Sequence, residues 1–250
     1  MCGRYAAKKD PATLAAEFEA VDATGQEEFR PDFNVAPTRT VLTVVQRHPR
    51  DEQGVPDPER TERSIRAMKW GLVPNWAKDP SVGSRMINTR AESAAEKPAF
   101  RSSLKRKRCL MPAEGWYEWK REGKTKIPFF MTRTDGESLA MAALWATWRP
   151  KDAADDEPPL VTCSVITTEA VGAMADVHDR MPLLLPRSAW AGWLDPDRED
   201  VAELLVPPPP ELVDLVELRP VSDQVNNVRN NGPQLMERVE PEPPLQETLL

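Results

Sequence analysis

A cysteine stands directly after the first methionine, in MCGRYA at 1–6. Methionine aminopeptidase removes a first methionine when the next side chain is small, so we expect Cys2 to become the first residue of the mature chain. It would then carry a free α-amino group with a pKa of about 8 beside a thiol with an ordinary pKa of about 8.5. Such an amine and thiol condense with an aldehyde, first as an imine and then as a thiazolidine ring. Cys2 is therefore predicted to trap aldehydes.

A carboxylate lies within a run of aromatic residues, WYEW at 116–119. If this segment is extended, Trp116 and Glu118 face one way while Tyr117 and Trp119 face the other. Glu118 is then a candidate for exchanging protons with the attacking amine or a hydroxyl. Glu114 falls on the same predicted face.

The chain has two histidines. His178 lies in VHDRMP (177–182), after a predicted helix, and an imidazole titrates at about pH 6.5, so it can shuttle a proton during imine formation and ring closure. His48 lies in a polar loop and is interpreted as structural. Cys109 and Cys163 lie in apolar runs typical of buried, inert cysteines.

Helix and strand signals give the elements that must position these residues. Asp10 followed by Pro11 predicts a helix start, with Leu14, Phe18 and Val21 on one apolar stripe. Thr168 predicts the cap of a helix to about 176, and Ser188 the cap of another to about 194. Short runs rich in β-formers predict strands at 40–45, 127–131, 139–148 and 160–166.

Strands without regularly interleaved helices predict an α+β fold: one domain with a largely antiparallel twisted sheet or barrel-like β core and packed helices. We expect this domain to span 1–238, followed by a disordered acidic tail at 239–250. The polar, proline-bearing segments 47–62 and 149–159 are predicted to be exposed loops.

The net charge of −7 hides a basic middle, because residues 63–150 contain 18 Lys and Arg against 8 Asp and Glu. Within it, the run KRKR at 105–108 is interpreted as a solvated charged face. Three cysteines without metal-ligand spacing indicate neither a disulfide framework nor a metal site. With no apolar run long enough to span a bilayer, we expect a cytoplasmic monomer without metal or cofactor.

The chain resembles the SRAP family of SOS-response-associated proteins, which shield abasic sites. Seven segments carry the resemblance, in family order. They are MCGRYA (1–6), FNVAPT (33–38), WGLVPNW (70–76), INTRAES (87–93), RCLMPAEGWYEW (108–119), VHDRMP (177–182) and VSDQVNNVRNNGP (221–233).

This resemblance implies a covalent thiazolidine link between Cys2 and an abasic site in single-stranded DNA, with nucleoid association when bound. It implies proton transfer by Glu118 and His178 and orientation by Asn88, which lies on the same side of an extended INTRAES as Arg90. The implied DNA contacts are Arg4, Arg85, Arg90, Trp70, Trp76, Pro37, Asn34 and Thr167. Autoprocessing of the chain's own N-terminus and weak lyase activity through the imine are further expectations.

Two other interpretations stay open. An MCG start also resembles class II glutamine amidotransferases, in which an N-terminal cysteine is the nucleophile. The chain has no room for the linked synthetase domain expected there. Alternatively, the protein is a plain single-strand-binding module in which Cys2 has no role, and replacing Cys2 by serine would leave such a module's DNA affinity intact.

Overall fold

The computed structural model describes residues 2–25, 28–154 and 156–240. Its strands are β1 Tyr5–Ala7, β2 Val21–Asp22, β3 Asp32–Val35, β4 Thr40–Arg47, β5 Glu62–Trp70, β6 Asn88–Arg90, β7 Arg108–Ala113, β8 Gly115–Glu122, β9 Thr125–Arg133, β10 Leu139–Trp148, β11 Leu160–Glu169, β12 Arg180–Pro182 and β13 Val216–Pro220. Its α-helices are α1 Pro11–Phe18, α2 Arg101–Arg106, α3 Arg187–Leu194 and α4 Pro210–Val213. Short 3₁₀ helices cover Pro80–Arg85, Ala91–Ser93, Gly172–Asp176, Ala202–Leu204, Asp223–Asn226 and Pro233–Met236.

Five long strands close into a barrel. Antiparallel pairing runs from β5 through β4, β7 and β10 to β11, and a parallel pairing of Cys163 with Trp70 joins β11 back to β5. β6 pairs in parallel with β11 just beyond the end of β5, with Asn88 opposite Val165. The predicted α+β fold with a barrel-like, largely antiparallel core is confirmed.

Alternation along the barrel strands separates two cores, because successive strand residues point to opposite faces. The inner one contains Val45, Met68, Cys109, Trp145 and other members of the same cluster. The outer one includes Val44, Ile65 and Leu110, which pack against the helices. Phe18 of α1 stacks on Trp190 of α3 with ring centroids 4.5 Å apart.

A second sheet, ordered β13-β9-β8-β1-β3, covers the barrel. Trp116 of β8 belongs to the inner barrel core, whereas Tyr117 packs with Phe130 and Val221 on the opposite face, where Trp119 also lies. The predicted alternation across WYEW is therefore confirmed. It directs Glu118, the next residue on the Trp116 face, toward the junction of the two sheets.

The first helix begins as predicted, since the Asp10 side chain accepts from Thr13 N at 3.0 Å. It ends before Val21, because Glu19 adopts a left-handed backbone conformation at φ 52°. Val21 instead lies in β2 and is 46% exposed. The predicted stripe is thus right for Leu14 and Phe18 and wrong for Val21.

Two predicted helix caps are also wrong. Thr168 does not begin a helix but continues β11, where it pairs with Met181, as suits a run of β-branched residues. The helical turn after it is the 3₁₀ segment Gly172–Asp176. Ser188 lies inside α3, whose N-cap is Pro186 without a side-chain cap.

Near the predicted domain end, Val239 N–H still donates to Pro220 O of β13 at 2.9 Å. The predicted tail spans 239–250, so this bond involves its first residue, and 241–250 lie outside the described residues. Within the described ranges, the helices are too short or too polar to cross a bilayer.

Candidate active site

Cys2 is fully buried in the inner core, beside the junction of barrel and second sheet. Burial raises the pKa of its thiol well above the ordinary value, and the negative charge of Glu118 raises that pKa further. The thiol is therefore held in its neutral form. Asn88 binds the same residue, because its Nδ2 donates to Cys2 O at 2.6 Å.

The backbone before Asn88 is held from two sides. Ile87 O accepts from Trp70 Nε1 at 2.9 Å and from Val165 N at 3.0 Å. The Asn88 Oδ1 atom is buried and has no hydrogen-bond partner among the described residues. Asn88 thus presents a buried acceptor close to the start of the chain.

Glu118 and His178 meet across the two sheets. His178 Nε2 lies 3.5 Å from Glu118 Oε1, and the exposed fractions of these side chains are 29% and 5%. A buried carboxylate beside a partly exposed imidazole can pass a proton between the interior and the solvent.

The other ring nitrogen of His178, Nδ1, has two polar neighbours. Arg180 N–H donates to Nδ1 at 3.0 Å, and Asp179 Oδ1 lies 2.7 Å from the same nitrogen. These contacts hold the ring with Nε2 toward Glu118.

One ion pair near the site was not predicted from the sequence. The Arg180 guanidinium forms two hydrogen bonds to Glu92, at 2.7 and 2.9 Å, and a third to Thr167 O at 2.7 Å. Arg180 holds the pKa of Glu92 below its ordinary value. Arg180 lies in the segment VHDRMP and Glu92 in INTRAES, so membership of these two motifs was the one sequence feature that pointed to the pair. The pair ties the His178 segment to the Asn88 segment.

Four of the predicted DNA contacts lie at or near the surface. Arg85 and Arg90 are exposed, Pro37 is half-buried, and Trp76 is 59% exposed. The loop that carries Trp76 begins at Gly71, where φ is +130° and an added Cβ would lie 2.6 Å from Gly83 O. Only glycine suits such a close backbone approach.

Three other predicted DNA contacts lie in the interior of the protein and bind its own backbone. Trp70 is fully buried and binds Ile87 O, so its ring offers no stacking surface. Asn34 is buried and donates to the carbonyls of Val225, Asn227 and Asn230, which holds the 222–231 loop. Thr167 is buried and its hydroxyl donates to Thr89 O.

Arg4 also binds the 222–231 loop. Its Nη1 donates to Asn34 Oδ1 at 2.6 Å and to Val225 O at 2.8 Å, and its guanidinium lies 5.9 Å from the centroid of the Trp119 ring. Arg4 is half-buried, so a phosphate contact is open only to the remaining part of its guanidinium.

The KRKR run is not one solvated face. Lys105 and Arg106 pair with Glu199, and Lys107 lies over the Trp145 ring. Arg108 is 4% exposed and donates to five backbone carbonyls around the ends of α2 and α3. The predicted solvated face is therefore wrong for Arg108, which is structural.

Cys109 and Cys163 are buried in the barrel and burial raises the pKa of both thiols, which agrees with the inert role predicted for them. His48 binds the carbonyls of Asp57 and Arg60 and the carboxylate of Asp197, as expected of a structural histidine.

The barrel thus brings a buried cysteine near the start of the chain together with a carboxylate, an imidazole and an amide at one junction. The family model described as SOS response associated peptidase (SRAP) matches residues 1–228, and the chain belongs to this family.

Relatives cover nearly the whole chain. It is 36% identical over 238 residues to the abasic site processing protein YoqW of Bacillus subtilis, covering 95% of this chain and 99% of that protein. It is 33% identical over 248 residues to the abasic site processing protein YedK of Escherichia coli, covering 96% and 100%. The abasic site processing protein HMCES of Xenopus tropicalis is 29% identical, with 94% and 78% covered.

Solved structures share the fold. A Bacteroides thetaiotaomicron protein superposes with a TM-score of 0.78 at 22% identity, covering 96% of this chain and 100% of that one. At that identity the likeness concerns the fold alone.

Proposed function

We propose that this protein processes abasic sites by forming a covalent link between Cys2 and the sugar aldehyde in single-stranded DNA. The observation that carries the proposal is the convergence of Asn88, Glu118 and His178 on the start of the chain, in a family whose relatives are named for abasic-site processing.

The reaction starts from the mature chain, after hydrolysis of the Met1–Cys2 peptide bond. The freed α-amine attacks the aldehyde carbon, and the carbinolamine loses water to give an imine. The thiol sulfur then adds to the imine carbon while the nitrogen takes up a proton, which closes the thiazolidine. One water leaves overall and no electrons are transferred, so no cofactor is needed.

The environment of Cys2 supports this order of steps. Burial and Glu118 disfavour the thiolate, so the amine is the better first nucleophile and the sulfur reacts within the ring-closing step. A thiolate-first mechanism, as in the amidotransferase alternative, needs a lowered thiol pKa.

The acid–base pair supplies the protons. Glu118 and His178 are within 3.5 Å of one another, and loss of water from the carbinolamine needs a proton at the departing hydroxyl. Asn88 holds Cys2 O and leaves its buried Oδ1 to accept from the new amine. The same residues can direct water at the Met1–Cys2 bond, which makes autoprocessing part of the proposal.

The strand would follow the predicted contacts that lie at or near the surface. Arg85 and Arg90 suit phosphates, while Trp76 and Pro37 offer flat apolar surface to an unstacked base. Weak β-elimination through the imine is the expected side reaction.

The test mixes purified protein with a uracil-containing single-stranded oligonucleotide, with and without uracil glycosylase, on a denaturing gel. We expect a shifted band only with glycosylase, absent for Cys2→Ser and retained for the matched control Cys109→Ser. The proposal fails if the Cys2→Ser band persists or if no band forms. Intact mass of the active protein should lack Met1, and a retained methionine would also overturn it.

A further inference from the structure

A cluster of cations lies at one end of the barrel, on residues to which the proposed chemistry gives no role. Arg47 Cζ lies 5.2 Å, and Lys107 Nζ 5.1 Å, from the centroid of the Trp145 ring. Trp145 is 7% exposed, so the two side chains cover its ring. We call Arg47, Arg66, Lys107 and Trp145 the Trp145 cluster.

The charges of this cluster are not neutralised within the protein. In the part of the chain that the structure describes, Arg47, Arg66 and Lys107 form no ion pair with a carboxylate, and their side-chain hydrogen bonds are Arg66 to Ser64 and Lys107 to Thr147. Burial lowers the pKa of both Arg47 and Lys107. The positive charges of Arg66 and Arg50 lower the pKa of Arg47 further, and the charge of Arg47 does the same for Lys107. An arriving anion would relieve this repulsion.

The cluster lies close to the site along the barrel wall. Trp145 pairs with Cys163, which is two residues along β11 from Val165, the partner of Asn88. Two strand spacings and two residues separate the Cα atoms of Trp145 and Asn88 by roughly 12 Å.

A groove of about 330 Å³ is lined by both Trp76 of the predicted DNA surface and Lys107, the one member of the cluster in its lining. Ser102 and Thr147 add hydroxyl groups to the groove. The loop before it is held where Trp148 Nε1 donates to Ala77 O at 2.8 Å. Aromatic surface followed by free cations is the pattern that suits a single strand, whose bases stack and whose phosphates need positive charge.

We propose that Arg47 and Lys107, which lie over the Trp145 ring, form together with the exposed Arg66 a second phosphate-binding surface that holds the single strand flanking the captured nucleotide. This inference rests on the proposed function, since it extends the path of the same strand. It predicts a longer binding footprint than the residues around Cys2 provide.

The test measures non-covalent binding of undamaged single-stranded DNA by Cys2→Ser protein as a function of salt. Each phosphate contact to a single strand contributes about 0.7 to the slope of log K against log salt. For an oligonucleotide of about 16 residues, Arg47→Gln/Lys107→Gln should lower the slope by about 1.4, and for one of about 4 residues it should leave the slope unchanged.

The matched control is Arg187→Gln/Arg219→Gln, which removes two exposed or half-exposed cations already paired with Glu19 and Glu217 and should keep the parental slope. Arg66→Gln, at an exposed side chain, should lower the slope by about 0.7 and keep the parental melting temperature. Equal slopes for parent and cluster variants on the long oligonucleotide would overturn the inference. Because undamaged DNA is used, this outcome is independent of whether Cys2 captures an abasic site.

Discussion

His178 Nε2 lies 3.5 Å from Glu118 Oε1, although one residue follows the barrel strand β11 and the other belongs to the second sheet. This Glu118–His178 pair therefore exists only when the two sheets are docked. Cys2 lies in the core formed by the same docking, so folding and assembly of the site are one event.

Removing either member of this pair should slow adduct formation. We expect Glu118→Gln and His178→Gln each to lower the single-turnover rate by about 10²- to 10⁴-fold, the usual contribution of general acid–base catalysis. Quenched time courses with an abasic oligonucleotide measure this rate.

The control for that series is Glu114→Gln. Glu114 Oε2 accepts from Lys8 N at 2.6 Å, a bond that the glutamine oxygen can also accept, so the rate should stay near the parental value. A parental rate in Glu118→Gln would contradict the proton-transfer role.

The thiol of Cys2 should lose its proton at a higher pH than an ordinary cysteine does. In protein with Gly-Ser added before Met1, so that the methionine stays, burial and Glu118 hold the pKa above its ordinary value. Alkylation by iodoacetamide should then keep accelerating as the pH rises past about 8.5, the ordinary pKa of a cysteine thiol. Glu118→Gln removes a negative charge that disfavours the thiolate, so it should shift the profile to lower pH.

Peptide mapping after alkylation isolates the Cys2 signal from Cys109 and Cys163. A Cys2 profile that levels off below pH 8 would mean that the thiolate is stabilised, contrary to the structure.

The Arg180–Glu92 pair should give a pH-dependent contribution to stability. Because the pKa of Glu92 is lowered in the folded protein, this stabilisation is complete above the unfolded pKa and is lost as pH falls through the folded one. Glu92 is 54% exposed, so solvent screening limits the effect to about 1 kcal/mol or less.

Thermal unfolding of parent and Glu92→Gln measures this effect. The difference in melting temperature should be clear at pH 7 and smaller near pH 3, because the pKa of Glu92 is lowered in the folded protein. A difference that is the same at both pH values would show that packing, rather than charge, is lost.

Arg108 should be needed for folding. Its buried guanidinium donates hydrogen bonds to five backbone carbonyls. A buried carbonyl that loses its partner and cannot bind water costs about 1–3 kcal/mol. Arg108→Ala should therefore lower the free energy of unfolding by at least about 3 kcal/mol, measured by urea denaturation. Arg106→Ala, two residues earlier at an exposed site, should cost less than about 1 kcal/mol.

Sequence patterns predicted much of the fold because the signals are local. β10 has the predicted bounds 139–148, and Asp10 caps α1 as its side-chain chemistry requires. The predictions failed where tertiary pairing decided the outcome. Thr168 has a good capping side chain, but its backbone pairs with Met181.

The sequence predicted the residues of the site but not the contacts that hold them in place. Motifs singled out Asn88, Glu118 and His178, which the fold brings together around Cys2. Residue type alone did not predict burial, because the exposed Trp76 and the buried Trp70 lie in the same WGLVPNW segment. Arg180 and Glu92 come into contact only in the folded protein, and no sequence spacing indicates that contact.

These two tryptophans should separate binding from positioning. Trp76 is 59% exposed, and stacking of one base on an aromatic side chain contributes about 1–3 kcal/mol, so Trp76→Ala should weaken binding of undamaged single-stranded DNA by about 5- to 150-fold. Trp70→Phe removes the bond to Ile87 O that holds the Asn88 segment. It should leave that affinity unchanged, while it slows adduct formation at saturating abasic DNA and lowers the melting temperature. Fluorescence anisotropy and single-turnover gels measure the two effects. Equal affinity in Trp76→Ala and parent would exclude Trp76 from the path of the strand, and a loss of affinity in Trp70→Phe would mean that the Asn88 segment itself contributes to binding the undamaged strand.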